Sequence, residues 1–356
     1  MAVTIRRCVQ VVFLLLVILI GIKFYLFVSR LEAGILPGFD RPPGVEAFLP
    51  ISALISLKYL FFTGTFNSVH PSALVLFLII SSTALIAKKG FCSWVCPFGI
   101  LSEYLSKLHL TVFKNGLVIP QWIDVLLRSI KYFIAGFFLY IIFFKMPVSS
   151  IEQFIYSPYN RFSDIKMLQL FTDISKTTLT VLLILLILSV FIRNMWCRYL
   201  CPYGALLGII GVMSIGTIKR NSSYCTDCGK CEKKCPGLIK VRQKERVYSP
   251  ECSACLACVD SCPEKRAIGF SLLSGRLQVR PHIMAVIFIM MFFVGISMAK
   301  VSGHWQNSIS KQEYLDSFVR SNVPRRVRGD IDPEKLLKMM QLIKAQRAQL
   351  NKSLKE

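Results

Sequence analysis

The chain has 356 residues, of which 54% are hydrophobic and 18% are charged, and its mean hydropathy is +0.54. This composition is too apolar for an ordinary soluble domain and predicts a protein of the lipid bilayer. The formal charge of +23 does not indicate nucleic-acid binding, because the basic residues lie beside apolar runs and among cysteines instead of along one groove.

Five long apolar runs follow one another, at residues 11–28, 72–87, 132–144, 177–192 and 283–299. A helix needs about 20 mostly apolar residues to cross a bilayer, and flanking residues bring most of these runs near that length. The sequence therefore predicts about five spans. The first is expected to be a retained anchor, because no small-residue cleavage site follows it. A shorter run at residues 51–62 contains Lys58 and predicts an interfacial or re-entrant helix.

The positions of Lys and Arg predict the orientation in the membrane. The segment between the second and third runs is rich in basic residues, whereas residues 31–71 carry only Arg41 and Lys58 against three acidic residues. Cytoplasmic loops carry an excess of Lys and Arg. We therefore expect the N-terminus, both mid-chain turns and residues 219–272 in the cytoplasm, and the tail after Lys300 outside.

A duplicated cysteine motif follows the end of two of the apolar runs. Residues 92–99 read Cys-Ser-Trp-Val-Cys-Pro-Phe-Gly and residues 197–204 read Cys-Arg-Tyr-Leu-Cys-Pro-Tyr-Gly, a shift of 105 residues. Gly90 predicts the C-cap of the first of these runs, and the prolines predict that Cys96 and Cys201 each begin the next helix. The positive end of a helix dipole is expected to lower the pKa of these two thiols.

Both motifs are predicted on one membrane face, where four thiols could converge. They could hold a further metal or cluster, or form two dithiol pairs, and the alternative is that they are buried small hydrophobic residues. The candidate residues are Cys92, Cys96, Cys197 and Cys201.

A second duplication occupies residues 225–263, where the pattern C-x2-C-x2-C-x3-C-P occurs twice with a shift of 27 residues. This spacing is typical of bacterial ferredoxins that hold two [4Fe-4S] clusters. Structural zinc and disulfides are the alternatives. Zinc ligands come in two spaced pairs, however, and disulfides are rare on the reducing side of the membrane.

The spacing also predicts which cysteines share a cluster. A tight loop supplies three thiolates to one cubane, so the fourth ligand comes from the other repeat. The first cluster is predicted on Cys225, Cys228, Cys231 and Cys262, and the second on Cys252, Cys255, Cys258 and Cys235. Basic residues between the repeats are expected to raise the cluster potentials, and contact with anionic lipid is the alternative reason for them.

The predicted architecture is an α-helical integral membrane protein with an inserted α+β two-cluster ferredoxin-like domain. Residues 1–218 form the membrane domain with four spans and both C-x3-C-P motifs, and residues 219–272 form the cytoplasmic domain. Residues 281–300 are the fifth span, and residues 301–356 are a charged tail, predicted to be periplasmic. A helix is predicted to begin at Asp332, with an apolar stripe that could contact a partner or pack on itself.

Five polar residues are predicted near the outer face. His70 and His304 could serve a quinol head group or a haem iron, although such histidines are more often structural, and Glu46, Glu152 and Asp164 could accept protons. No C-x-x-C-H motif occurs, so covalent haem is not expected. Cys8 is assigned no role.

These motifs in this order resemble the membrane-bound 4Fe-4S polyferredoxin family of the NapH and NosR type, accessory to periplasmic nitrate and nitrous-oxide reduction. The resemblance covers about Arg41 through Pro263. It implies a multi-pass protein of the bacterial cytoplasmic membrane that takes electrons from quinol or a cytoplasmic donor. The resemblance also implies that the electrons pass to periplasmic enzymes or are used in the maturation of those enzymes. Larger nitrous-oxide-type members carry a flavin-binding domain before the first span, but only ten residues precede Val11, so no flavin is expected.

The sequence thus predicts an electron carrier with two [4Fe-4S] clusters, whose partners are the lipid bilayer and a redox protein or quinone. It could be the quinol-oxidising component of a larger complex. One alternative is a metalloenzyme maturation factor that uses the C-x3-C-P thiols. Another is a redox-sensing regulator that signals through its tail.

Overall fold

The structure, a computed structural model, describes residues 2–113, 119–273 and 277–322. Three of its helices are long and apolar enough to cross a bilayer: α1 (Ala2–Glu32), α6 with its π-helical end (Gln121–Lys145) and α14 (Pro281–Val301). They contain the first, third and fifth predicted runs. The predicted tail helix at Asp332 lies outside the described residues.

The other two predicted spans are less regular. Helices α9 (Ser163–Thr172) and α10 (Lys176–Phe191) are bent by 78° and make one candidate span only if taken together. Helix α3 (Pro71–Ala87) has 17 residues and is mostly buried. The described part of the chain therefore contains three candidate spans, or four with the bent pair. The predicted number of five stays a prediction.

Shorter helices connect and cover these spans. Helix α2 (Pro50–Thr63) contains the run predicted as interfacial or re-entrant and has 14 residues. The remaining α-helices are α4 (Gly90–Trp94), α5 (Pro97–Val112), α7 (Val148–Ile155), α8 (Pro158–Arg161), α11 (Pro202–Val212), α12 (Lys230–Lys233), α13 (Ala257–Asp260) and α15 (Lys311–Asn322). Many of them begin with proline, which suits the first helical turn because its missing N–H would lack a helical partner there.

A small antiparallel sheet anchors the cysteine-rich region. Its strands are β1 (Thr217–Arg220), β2 (Ile268–Leu272) and β3 (Leu277–Val279), in the order β1-β2-β3. Ile218 pairs with Phe270, and both are buried. The two cysteine repeats lie between β1 and β2, so the sheet closes the loop that carries them. The predicted domain boundary at residue 219 falls inside β1.

The cysteine-rich region packs directly on the helices. Phe288 of α14 stacks on Trp94 at a ring-centroid distance of 5.3 Å. Both residues belong to one apolar core that also contains Ile218, Val247 and Phe270. This shared core fixes the cysteine loops against the ends of α1, α3 and α14.

Candidate functional site

The two cysteine repeats have the same backbone conformation. Asp227 and Ala254, which are 27 residues apart, have φ of +49° and +46°, and Gly229 and Leu256 have φ of +68° and +60°. A short helix follows in each repeat, α12 in the first and α13 in the second. The duplication read in the sequence is therefore present in the fold. Left-handed residues inside such turns aim successive N–H groups into a concavity, as in many iron–sulfur sites.

Four cysteines from the two repeats line one cavity. They are Cys235, Cys252, Cys255 and Cys258. These are the residues predicted as ligands of the second cluster. The cavity walls include Ile218, Val241, Val247 and Leu256, which are apolar. A cubane takes one thiolate on each of four irons, so four cysteines around one cavity fit this group.

The cysteines predicted for the first cluster are more exposed. Burial raises the pKa of Cys231, and the charge of Glu232 and the Cys262 thiol raise it further. Cys231 and Cys262, which belong to different repeats, pack against the same apolar core. Cys228 is exposed, and hydrogen bonds from the Lys230 N–H and the Thr226 side chain lower its pKa. Within the described residues, no three His, Cys, Asp or Glu side chains are close enough to hold a single metal ion.

The four cysteines of the C-x3-C-P motifs, here called the membrane-edge thiols, also lie together. Burial raises the pKa of Cys92 well above its usual value, and the Cys96, Cys201 and Cys197 thiols add to the effect. The four thiols therefore lie near enough to affect one another's ionisation, and their binding of a metal or cluster stays a prediction.

Each motif begins a helix in the predicted way. Cys96 is the N-cap of α5 and Cys201 the N-cap of α11, with proline at the next position. Their N–H groups donate to carbonyls five residues back, Cys96 to Phe91 at 3.0 Å and Cys201 to Trp196 at 2.9 Å. The two motifs thus share a widened turn that places each thiol at a helix N-terminus.

The expected lowering of the thiol pKa is wrong. Burial raises the pKa of Cys96 to about 12 and also raises that of Cys201, although backbone N–H groups oppose the shift in both. In Cys201 one of these is the Gly204 N–H, at 3.3 Å from the sulfur. The free energy lost when water is removed from the thiolate exceeds the stabilisation that the helix N-terminus gives to it. The predicted C-cap at Gly90 is also wrong, since the C-cap of α3 is Lys88, with φ of +55°.

The glycine that ends each motif provides a matched test of this geometry. A Cβ on Gly99 would lie 1.8 Å from the Cys92 carbonyl oxygen, whereas one on Gly204 would lie 3.7 Å from that of Cys197. We expect Gly99→Ala to displace the first motif and to destabilise the protein by about 1–3 kcal/mol or more, as overpacking does. Gly204→Ala should be tolerated. Thermal unfolding of both variants checks this, and equal midpoints would contradict it.

Hydrogen bonds to backbone carbonyls join the first C-x3-C-P motif and the residue Lys89 before it to the second cysteine repeat. The Lys89 N–H donates to the Cys252 carbonyl at 3.2 Å. Ser93 Oγ donates to the Ser253 carbonyl at 2.6 Å, and Trp94 Nε1 to the Ala254 carbonyl at 3.1 Å. The cavity of the second repeat therefore adjoins the membrane-edge thiols.

A buried ion cluster reinforces this junction. Lys131 Nζ lies 2.7 Å and Lys89 Nζ 3.0 Å from the carboxylate of Glu251, and the Tyr132 hydroxyl donates to it at 3.1 Å. Burial opposes ionisation, yet the lysines outweigh it and lower the pKa of Glu251 to about 2. In the sequence, Lys89 and Lys131 are two of the basic residues that predict the orientation in the membrane, and Lys89 also lies at the end of an apolar run. The signal that could have led to Glu251 is an acidic residue directly before Cys252.

Residues at the second C-x3-C-P motif contact the end of the first cysteine repeat. Asn194 Nδ2 donates to the Pro236 carbonyl at 3.1 Å, and an Arg198 N–H donates to the Gly237 carbonyl at 2.7 Å. Arg198 is held by a buried Asp124, at 2.8 Å. Both C-x3-C-P motifs therefore hold the loops around the same cavity.

Three of the residues predicted near the outer face form one buried network. Arg41 contacts Glu46 at 2.7 Å and Asp164 at 2.5 Å, and His70 Nδ1 lies 3.1 Å from Glu46. Burial opposes ionisation of Glu46, but the charge of Arg41 and the hydrogen bonds from His70 and Ser72 together outweigh it and lower the pKa to about 2. Paired and buried in this way, the network ties three chain segments together.

The other outer-face candidates lie apart. Glu152 is exposed, and His304 contacts the Phe66 ring at 4.4 Å. Cys8 is exposed. The structure therefore adds neither Glu152 nor His304 to the network of Arg41.

Family comparisons match the cysteine-bearing segments. A family described as a 4Fe-4S binding domain matches residues 69–116 and 176–221, and one described as a 4Fe-4S dicluster domain matches residues 217–263. The first covers the membrane-edge thiols and the second covers both cysteine repeats. Together with the apolar helices, these matches define an iron–sulfur electron-transport protein of the membrane.

Curated relatives identify the family. The chain is 39% identical over 319 residues to the Escherichia coli (strain K12) protein named "Putative electron transport protein YccM", covering 88% of this chain and 89% of that protein. It is 28% identical to the ferredoxin-type protein NapH of Haemophilus influenzae, over 55% of this chain and 68% of that protein. The regulatory protein NosR of Pseudomonas aeruginosa is 27% identical over 54% of this chain, which spans only 27% of that protein. The chain belongs to the NapH/NosR-type family of membrane polyferredoxins. No solved structure matches it.

Proposed function

We propose that the chain relays single electrons between a quinol or cytoplasmic donor and a redox partner in the membrane or periplasm. Two bound [4Fe-4S] clusters would supply the one-electron chemistry. The observation that carries this proposal is the cavity of Cys235, Cys252, Cys255 and Cys258, whose loop accepts hydrogen bonds from Ser93 and Trp94 of the first C-x3-C-P motif.

The chain's own residues would hold the two clusters in a crossed manner. The cavity supports Cys235 of the first repeat as the fourth ligand of the second cluster. The proximity of Cys231 and Cys262 supports the reciprocal exchange, with Cys225 and Cys228 completing the first cluster. The left-handed residues in both loops would present N–H groups that stabilise the negative charge of the sulfurs.

The membrane-edge thiols would hold a further cluster, since no three of them lie close enough together for a single metal ion. Both motifs lie in segments that match a 4Fe-4S binding domain. The four residues are half-buried, and loss of water raises the pKa of each thiol, whereas dithiol exchange needs a thiolate. Ligation removes the proton that burial otherwise retains, and the nearby Lys89 would offset the resulting charge. Burial thus favours ligation over the alternative of a maturation factor that exchanges thiols.

The proposed organisation has five spans, with the cysteine repeats in the cytoplasm and the end of α14 outside. Four basic residues of the membrane domain contact the cysteine-rich region at Gly237, Tyr248 and Glu251: Lys88, Lys89, Lys131 and Arg198. A basic inner face agrees with the rule that cytoplasmic loops are positively charged.

Anaerobic purification with iron and sulfide analysis tests this proposal. Two clusters require about eight iron atoms per chain, and occupation of the membrane-edge thiols by a third cluster would raise the number to about twelve. Paramagnetic resonance of the dithionite-reduced protein should give signals of interacting clusters. An iron-free protein would contradict the proposal, and addition of quinol to the oxidised protein distinguishes a quinol donor from a cytoplasmic one.

A further inference from the structure

The surface around the exposed end of the first cysteine repeat is strongly basic. Between residues 225 and 246, six exposed side chains are basic and two are acidic. The basic ones are Lys230, Lys233, Lys234, Lys240, Arg242 and Lys244. This set is called the basic rim. Cys228 is itself exposed, and two rim residues lie beside it: the Lys230 N–H donates to its sulfur, and Arg242 donates to the carbonyl of the preceding Asp227 at 3.3 Å.

The rim belongs to the part of the domain that is not used to dock on the helices. Hydrogen bonds from the membrane helices end on Pro236, Gly237, residues 251–254 and Asp260, and none of these is a residue of the basic rim. Helix α12, which carries Lys230 and Lys233, packs instead on α13 and on the turn Val241–Gln243. Arg242 also bonds across this loop, from its N–H to Glu232 at 2.9 Å.

An apolar residue interrupts the charged surface. Tyr224 directly precedes Cys225 and is 46% exposed. Transient redox interfaces combine a small apolar centre with a charged rim that orients the partner. Lipid contact would require the basic residues beside the helix ends, whereas the rim surrounds a cysteine loop that packs on its own domain.

We propose that the basic rim is the docking surface for a small, acidic electron-carrier protein, which exchanges electrons with this chain at Cys228. The inference rests on the proposed function and deepens it, because it assigns the chemistry of the cytoplasmic partner. Opposite charges on the two proteins accelerate their encounter, and salt screens the attraction. A short-lived complex of this kind brings the partner's cofactor near the exposed edge of the first cluster.

Binding of an acidic bacterial flavodoxin to the full-length protein in phosphatidylcholine nanodiscs tests this inference. We expect binding at low ionic strength that weakens as salt is added, and an association rate at least about tenfold lower for the Lys233→Glu, Lys234→Glu double variant. The matched control is the Lys145→Glu, Lys300→Glu double variant, because both lysines are exposed and lie at the far ends of α6 and α14. It carries the same charge change and should bind as the unaltered protein does.

Two further measurements separate the possible outcomes. Dithionite should reduce the iron–sulfur absorbance of both double variants equally, so an intact cluster content with equal flavodoxin binding overturns only this inference. An iron-free protein would overturn the proposed function instead. In nanodiscs that contain phosphatidylglycerol, Lys233 and Lys234 should stay as reactive toward an amine acetylating reagent as in phosphatidylcholine. Protection by the anionic lipid would mean that the rim rests on the membrane, which contradicts a protein docking surface.

Discussion

Removal of Cys235 together with Cys258 should abolish one cluster and leave the other intact. The two residues lie in different repeats but line the same cavity, so their loss affects the same predicted cluster. We expect the Cys235→Ala, Cys258→Ala variant to lose about four iron atoms per chain. The Cys231→Ala, Cys235→Ala variant should lose about eight, although its two residues lie only four positions apart, because they are predicted to bind different clusters.

Iron and sulfide analysis of anaerobically purified protein measures both losses. Cys8→Ala is the control, since Cys8 is exposed and belongs to neither repeat, and its iron content should be unchanged. If each repeat held its own cluster, the Cys231, Cys235 pair would lose about four atoms and the Cys235, Cys258 pair about eight. That reversal would overturn the crossed assignment.

Loss of the Glu251 carboxylate should separate the cysteine repeats from the membrane helices. Glu251→Ala leaves Lys89 and Lys131 buried without their counter-charge, and such a change costs about 3–5 kcal/mol. We expect a lower midpoint of thermal unfolding, with earlier loss of the iron–sulfur absorbance, because the cavity that contains Cys252 adjoins this ion cluster. Glu245→Ala is the matched control, since Glu245 is exposed and its loss should cost less than about 0.5 kcal/mol.

A third variant separates charge from packing at this junction. Replacing Lys89 and Lys131 by Met and Glu251 by Leu removes the three charges of this ion cluster. Such a replacement often leaves the stability unchanged or increases it. Its unfolding midpoint should therefore recover most of the loss caused by Glu251→Ala. Equal midpoints for Glu251→Ala and Glu245→Ala would mean that the buried ion cluster does not hold the domain.

The features that sequence reasoning predicted correctly depend on neighbouring residues. The 27-residue duplication reappears as matched left-handed residues in the two loops, and proline after Cys96 and Cys201 begins a helix in both motifs. These properties depend on backbone conformation within a few residues, which the local sequence determines.

The features that it missed depend on contacts between distant segments. Glu251 pairs with Lys131, which is 120 positions away, and no periodic pattern connects them. The pKa of Cys96 is raised because tertiary neighbours exclude water, which the position at a helix N-terminus does not reveal. The length of α3 is also ambiguous from hydropathy, because a buried helix and a membrane span have similar compositions.

The hydrogen bond from the Lys89 amide to the Cys252 carbonyl joins the membrane helices to the second cysteine repeat. Lys89 lies on a connector between two helices, where an amide would ordinarily exchange with deuterium rapidly. Here exchange requires the cysteine loop to lift away from the bilayer-side helices, a sub-global opening. The ferredoxin-like segment is therefore held on its helices by direct contacts and a shared apolar core, and it is not a free-standing carrier on a tether.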